Sequence, residues 1–375
     1  MHNIKVLLTV LLTLFTASAK TFAQTPLSGQ AQISVLTCGP GGELYSVFGH
    51  TAIRVYDPTT RFDVVYNFGT FDFDTPNFYP KFVKGDLQYF VSASSYDDFV
   101  YTYQYYNRDV FEQFLNLTPQ QKQGIADELN MRLTGDGKYY TYKFIHRNCT
   151  TMVAEILNKY LTEKISLKNE DRGLTYRKII RNNLNKGNHF FEDLGISLTF
   201  GAPTDDVQDK LFLPKELMQG IANTRTASGP LVKSTVTAFK ATPEQAPLSF
   251  NSFFIYAIAI VFLLALTGFK LTQRSYLAIA GLMGIFFIFI GFYSTHSELI
   301  WNYNALLFNP LLLVVLYFVF SNNKKAIIVS AYACLGCIGI YIIYMLNKPH
   351  LFIVLPLIAL HSVILIRTLM AAKKQ

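Results

Sequence analysis

Apolar and polar positions divide this chain of 375 residues into three zones. An apolar run from Val6 to Phe15 follows a short basic opening and precedes small residues that end at Ala23. From about 30 to 240, apolar positions alternate or recur at helical spacing among polar ones. Beyond 250, five nearly continuous apolar stretches follow, at 252–269, 274–293, 304–321, 326–346 and 350–369. Each approaches the roughly 20 residues that cross a hydrocarbon core, the third being the weakest. The opening run is shorter than a span. Its basic, apolar, small-residue order predicts a cleaved secretory signal over 1–23, with an uncleaved anchor as the competing reading.

The middle zone, 24–240, is long enough for one domain, or one with an appendage. Residues 32–37 and 50–56 read as strands, separated by the turn cluster Cys38-Gly39-Pro40-Gly41-Gly42. A turn at 57–61 returns the chain as a third strand over 62–68. Further strands are expected at 87–93 and 98–106. Thr118-Pro119 opens a helix that runs to about Leu133. Met152, Val153, Ile156, Leu157 and Tyr160 place a helix directly after Cys149. Another helix is expected over 176–185, and 211–217 reads as a loop entering one more. Residues 235–249, with two prolines, approach the membrane. They lead through a linker at 241–251 to a membrane domain at 252–370 and a tail at 371–375.

The net charge of +8 raises the question of nucleic acid. No run of Lys and Arg forms a phosphate-binding stripe, so that class is excluded. The basic residues mark topology instead. Lys270 and Arg274 sit in the first short connection, Lys324 and Lys325 in the third, and Arg367, Lys373 and Lys374 at the end. The two alternate connections hold only Lys348. This positive-inside bias agrees with the export signal and places the front domain in the periplasm, on a multi-pass bacterial inner-membrane protein.

Two short segments carry the candidate chemistry. Phe48-Gly49-His50-Thr51-Ala52-Ile53-Arg54 offers a histidine at the start of a strand. Asn148-Cys149-Thr150-Thr151 offers a cysteine at the start of a helix. A thiol there feels the positive end of the peptide dipole, and a nearby imidazole lowers its pKa further and carries its proton. The bland alternatives are a buried cysteine acting as a small hydrophobe and a disulfide to Cys38, the other exported cysteine. Cys334 and Cys337 fall within the fourth span and take no redox role. If 57–61 closes the hairpin, Phe68 lies opposite His50. The group that orients the imidazole is then sought among Tyr66, Asn67 and Asp72, with Asn67 preferred. His146 is a competing base. The loop between the second and third spans carries His296, Glu298, Asn302 and Asn304 beside Trp301 and Tyr303. An aromatic belt explains the rings. The four polar residues are candidates for binding a lipid head group or the acceptor amine. His361 lies inside the fifth span and reads as a packed histidine. No ligand cluster has metal spacing, and no cofactor is implied.

The histidine-then-cysteine order resembles circularly permuted papain-like enzymes, including the NlpC/P60 hydrolases and the lecithin:retinol acyltransferase group. With Thr37-Cys38-Gly39-Pro40-Gly41 and Tyr66-Asn67-Phe68-Gly69, the blocks more closely resemble the periplasmic domain of the Lnb family of lipoprotein N-acyltransferases. The resemblance implies an α+β papain-like periplasmic domain followed by an all-α bundle of five transmembrane helices. It also implies acyl transfer through a Cys149 thioester. A membrane phospholipid would be the acyl donor, and the α-amine of a diacylglyceryl-cysteine lipoprotein the acceptor. The alternatives are a membrane-tethered cysteine amidase or peptidase of the cell wall, and a non-catalytic envelope protein.

Overall fold

A computed structural model describes residues 26–242 and 250–374. The expected signal at 1–23 and most of the linker lie outside the described residues. The outer domain is built on a seven-stranded sheet, every neighbouring pair antiparallel. Its strands are β1 (Gln32–Cys38), β2 (His50–Asp57), β3 (Phe62–Thr70), β4 (Gln88–Ser95), β5 (Val110–Leu115) and β6 (Tyr139–Thr141), with Val232–Phe239 at one edge. The order across the sheet is β6, β4, β3, β2, β1, β5 and then Val232–Phe239. Arg225–Thr226 and Gly229–Pro230 form a separate small hairpin.

Alternation along the strands sorts side chains onto two faces. Ile33, Val35, Ile53, Val55, Tyr66 and Phe68 point to one face. They pack there against α3 (Pro119–Thr134) and α4 (Cys149–Tyr160), whose Ile125, Leu129, Met152, Val153 and Ile156 complete the main core. Leu36, Cys38, Ala52 and Val65 point to the other face and meet Phe99, Val100 and Tyr103 of α2 (Tyr96–Tyr105). A strand is expected at 98–106, and the structure has this helix instead. Ser95 caps it by accepting from the Asp98 N–H, and two acidic residues fill its first turn, signals that outweigh its tyrosines. The 235–249 segment likewise departs from the linker reading. Its first part belongs to the edge strand, paired with β5. Before β4, α1 (Phe78–Lys84) lies on the surface with no buried residue.

Three further helices lie between the sheet domain and the bundle: α5 (Tyr176–Lys186), α6 (Phe190–Thr199) and α7 (Pro214–Ala222). The bundle contains α8 (Phe253–Leu266), α9 (Lys270–Tyr293), α10 (Leu311–Phe320), α11 (Lys324–Met345) and α12 (Leu351–Lys374). All five expected apolar stretches are helical, but only α9, α11 and α12 are long and apolar enough to cross a membrane alone. α10 joins the short turns over 297–306 in a pair bent by 41°, which counts as a fourth span if taken as one. α8 has 14 residues, about 21 Å of helix against a core of about 30 Å. The bent segment presses on α9 so closely that a Cβ on Gly284 would collide with the Phe308 carbonyl oxygen.

The two parts meet in a polar seam. Arg177 of α5 is 1% exposed; its guanidinium donates to Asp205 at 2.6 Å and to the carbonyls of Phe200 and Gly201 at 2.9 and 2.8 Å. Asp205 also accepts from the Tyr303 hydroxyl at 3.0 Å and pairs with Lys348 at 2.9 Å, both from the membrane part. Arg181 pairs with Asp193 at 2.8 Å and donates to the Pro349 carbonyl. Phe190 and Leu198 of α6 belong to the bundle's apolar core. Replacing Arg177 with alanine leaves these buried carbonyls without their donor and Asp205 with only Tyr303 and Lys348. The expected cost is about 1–3 kcal/mol, read as a lower unfolding midpoint in detergent and new tryptic cleavage at the seam.

Candidate active site

Cys149 is the first residue of α4, and its position follows from local capping. The Asn148 side chain accepts from the Thr151 N–H at 2.9 Å, and the Thr151 hydroxyl accepts from the Asn148 N–H at 2.8 Å. The Asn148 amide also donates to the Phe144 and Phe212 carbonyls at 2.6 and 2.8 Å. The Asn-Cys-Thr-Thr block is thus a reciprocal cap that sets the thiol over the unpaired N–H groups of the helix start. Thr150 is buried and meets Thr51 of β2, hydroxyl to hydroxyl at 3.3 Å. This contact aligns the helix start with the first residues of β2.

His50 begins β2, directly after Gly49. Gly49 has φ 86°, and a Cβ there would collide with the Cys38 carbonyl oxygen. Only glycine lets the chain turn into the strand at that point. The imidazole Nε2 lies 3.2 Å from the Asn67 side-chain oxygen. The pairing runs one residue away from expectation. Ala52 opposes Asn67, so Thr51, not His50, faces Phe68. Asn67 shares the His50 face by alternation, whereas Tyr66 points to the other face and bonds Asn130. Asp72 accepts from the Asp74 N–H in a local turn.

Burial opposes ionisation of the Cys149 thiol. The His50 imidazole, through its charge and a hydrogen bond, acts the other way, helped by the Thr51 N–H and the Thr150 hydroxyl. The balance leaves the thiol below its ordinary pKa. Cys38 stands opposite His50 on β1 but is a buried free thiol, which burial pushes far above the ordinary range. Cys149 is also free. One of the two exported thiols is therefore set up to ionise and the other to stay protonated. His146 is exposed and lies against Tyr176 at a ring distance of 6.4 Å, lining a cavity with Asp206, Asp209 and Glu298. The groups that chiefly lower the Cys149 thiol are His50, Thr51 and Thr150. Thr51 and Thr150 hold the two segments in line, a role that the sequence pattern alone does not assign them. The signal available is their place beside His50 and Cys149.

The outer loop reaches the site through its supports. Glu298 is 1% exposed and accepts from the Ile145 N–H at 2.9 Å, four residues before the cysteine. The His296 ring lies 3.1 Å from the Phe82 carbonyl, and Lys143 donates to the Thr295 and Gly85 carbonyls at 2.9 and 3.2 Å. Asn302 donates to the Leu198 and Thr199 carbonyls, and Asn304 to those of Ser197 and Leu198 while accepting from Tyr341. Head-group contact is expected of Asn302 and Asn304. Their amides instead satisfy the end of α6, and Asn304 is fully buried. His361 packs between Tyr276 and Phe308 in the bundle, as expected.

These features define a membrane-embedded protein whose outer α+β domain holds a thiol and an imidazole together at the rim of its sheet. Residues 20–182 match the family model of the Lnb N-terminal periplasmic domain, and residues 240–375 that of the Lnb transmembrane domain. The chain belongs to the Lnb family, and is a multi-pass inner-membrane protein with its N-terminal domain in the periplasm. Membership implies an acyltransferase of the lipoprotein N-acyltransferase type. No curated protein and no solved structure matches it.

Two outcomes are expected. Alkylation of Cys149 by iodoacetamide rises with pH through a midpoint below that of a free thiol. In His50→Ala the midpoint moves up, because only the Thr51 N–H and the Thr150 hydroxyl then oppose burial, and the thiolate fraction at pH 7 falls about tenfold for each unit by which the midpoint lies above 7. Gly49→Ala displaces the start of β2, costs about 1–3 kcal/mol in stability, and raises the same alkylation midpoint.

Proposed function

We propose that this protein moves a fatty acyl chain from a membrane phospholipid to the α-amine of a diacylglyceryl-cysteine lipoprotein, through a thioester on Cys149. The observation that carries this reading is the lowered Cys149 thiol beside His50, in a domain pinned to the bundle by Glu298, Asp205 and Arg177. A site fixed against membrane helices suits a substrate that stays in the bilayer. A wall amidase needs only a tether.

The chemistry follows from the groups present. The Cys149 thiolate attacks the ester carbonyl of the donor. Backbone N–H groups at the start of α4, including that of Cys149, would hold the oxyanion. The carbon–oxygen bond breaks, the lyso-lipid oxygen takes a proton from the His50 imidazolium, and the thioester remains. The lipoprotein amine then attacks the thioester, giving an amide and returning the thiolate, while His50 takes the amine's proton. Asn67 keeps the imidazole oriented through both steps. The histidine strand preceding the cysteine helix fits a circularly permuted papain-like domain. α8 and the bent pair fit two shortened crossings in a five-helix bundle.

The test is expression in cells lacking their own N-acyltransferase, with the N-terminal peptide of a model lipoprotein weighed. Wild type adds the mass of one fatty acyl group, and Cys149→Ser adds none. Absence of the gain with folded wild type would favour hydrolysis of cell-wall peptide instead. Asn67→Ala retains the reaction at a rate about 10–100-fold lower, since orientation rather than proton transfer is lost.

A further inference from the structure

Between β3 and β4 the chain exposes an unusual density of rings for a surface segment. Tyr79 is 72% exposed, Phe73 59%, Phe82 45% and Val83 38%. The three rings belong to one ladder, Tyr79 through Phe78 at 5.3 Å. Phe82 stacks on Phe78 at 6.4 Å, Phe78 lies 5.9 Å from Phe71, and Phe73 touches both Phe71 and Phe78 at 4.9 Å. Phe71 continues to Tyr89 at 5.3 Å, and Tyr89 stacks on Tyr142 at 4.4 Å. The inner end lies in the surroundings of the thiol: Tyr142 and Cys149 both pack against the main core. Gly69, two residues before Phe71, is so placed that a Cβ would lie 3.8 Å from that of Cys149.

The outer end is fixed at the membrane. Thr295, two residues past the end of α9, donates from its N–H to the Lys84 carbonyl at 2.8 Å. The His296 ring lies against the Phe82 carbonyl and ring. α1 therefore sits at the level where α9 leaves the hydrocarbon, and Phe292 and Tyr293 expose their own rings there. Its last turn carries Lys84, which pairs with Asp86, and Lys81, whose charge suits a lipid phosphate. The ladder continues the lipid-facing surface of the bundle up to the cysteine.

We propose that this aromatic ledge seats one fatty acyl chain of a bilayer phospholipid as its ester rises to Cys149. The inference rests on the acyl-transfer reading and adds the path of the donor chain. It explains why exposed rings persist on an otherwise solvated domain: their apolar area is covered by the chain rather than by protein.

The test uses the full-length protein in vesicles of phosphatidylethanolamine and phosphatidylglycerol, the former labelled in its acyl chain. Hydroxylamine-labile label on Cys149 is followed beside hydrolysis of soluble p-nitrophenyl acetate. The double variant Phe73→Ser with Phe82→Ser should slow thioester formation from the labelled lipid about tenfold or more, while acetate hydrolysis stays within about twofold. Leucine at both positions should restore labelling, because the seat needs apolar area rather than rings. Unchanged labelling in the serine variant overturns the ledge, as does an equal loss of both reactions. Normal labelling with slower transfer to a lipopeptide assigns the surface to the acceptor and also overturns it. A wild type with no label on Cys149 sinks the acyl-transfer reading itself, and the ledge with it.

Discussion

The seam between the sheet domain and the helix bundle is the constraint on which the remaining structure depends. A guanidinium as buried as that of Arg177 is tolerable only when its donors are taken up by acid and carbonyl partners. Those partners come from Asp205 and the end of α6, while Tyr303 and Lys348 of the membrane part converge on the same carboxylate. No member of this cluster can move alone without exposing a charge to an apolar setting. The cluster therefore fixes the height of the sheet above the bilayer, not merely its attachment.

From that anchor the site is assembled by two arms of the same loop. One arm, through Thr295 and His296, holds α1; the other, through Glu298, holds the Ile145 N–H that leads into Cys149. Lys143, two residues before Ile145, ties the cysteine hairpin to the first arm by donating to the Thr295 and Gly85 carbonyls. The membrane loop thus acts on the chemistry indirectly, by positioning the cysteine hairpin and the aromatic segment relative to each other. This accounts for polar side chains that an aromatic belt would leave unexplained.

The parts of this arrangement that local chemistry controls are readable from the sequence. A cysteine entering a helix behind Asn148 is announced by the cap and by the apolar spacing after it. The contact of His50 with Asn67 depends on register: with Phe68 opposite His50, alternation would put Tyr66 on the histidine's face, and the observed pairing of Ala52 with Asn67 is what brings Asn67 there. The one-residue offset at Phe68 escapes because it depends on how the turn at 57–61 is built, which hydrophobic pattern does not specify. Residues 98–106 mislead because Tyr101, Tyr103, Tyr105 and Tyr106 favour strand by propensity, while the decisive feature is the Ser95 cap. The roles of Asn302 and Asn304 are hidden for a different reason. A polar residue near a membrane looks the same in sequence whether it meets a head group or the carbonyl end of a neighbouring helix. Only the packing of α6 against the loop distinguishes the two.

Two opposing demands meet at Cys149, and the fold satisfies both through where the residue sits. Withdrawing the thiol from water strengthens its attraction to the His50 imidazole but penalises the thiolate itself. Cys38, the last residue of β1, is enclosed without an imidazole donor and shows where dominant burial leads: a thiol that stays protonated. Cys149 avoids that outcome because it lies at the rim, where β2 begins after a left-handed glycine and α4 begins after a capping asparagine. The Thr51 N–H at the start of the strand and the positive end of the α4 dipole both favour the thiolate. A cysteine placed one turn further along α4 would lose the Thr51 and helix-start donors and face the packed core around Met152 and Val153. The reactive position is thus set by the ends of two elements rather than by their middles, which is why Gly49 and Asn148 matter as much as the sulfur and the ring.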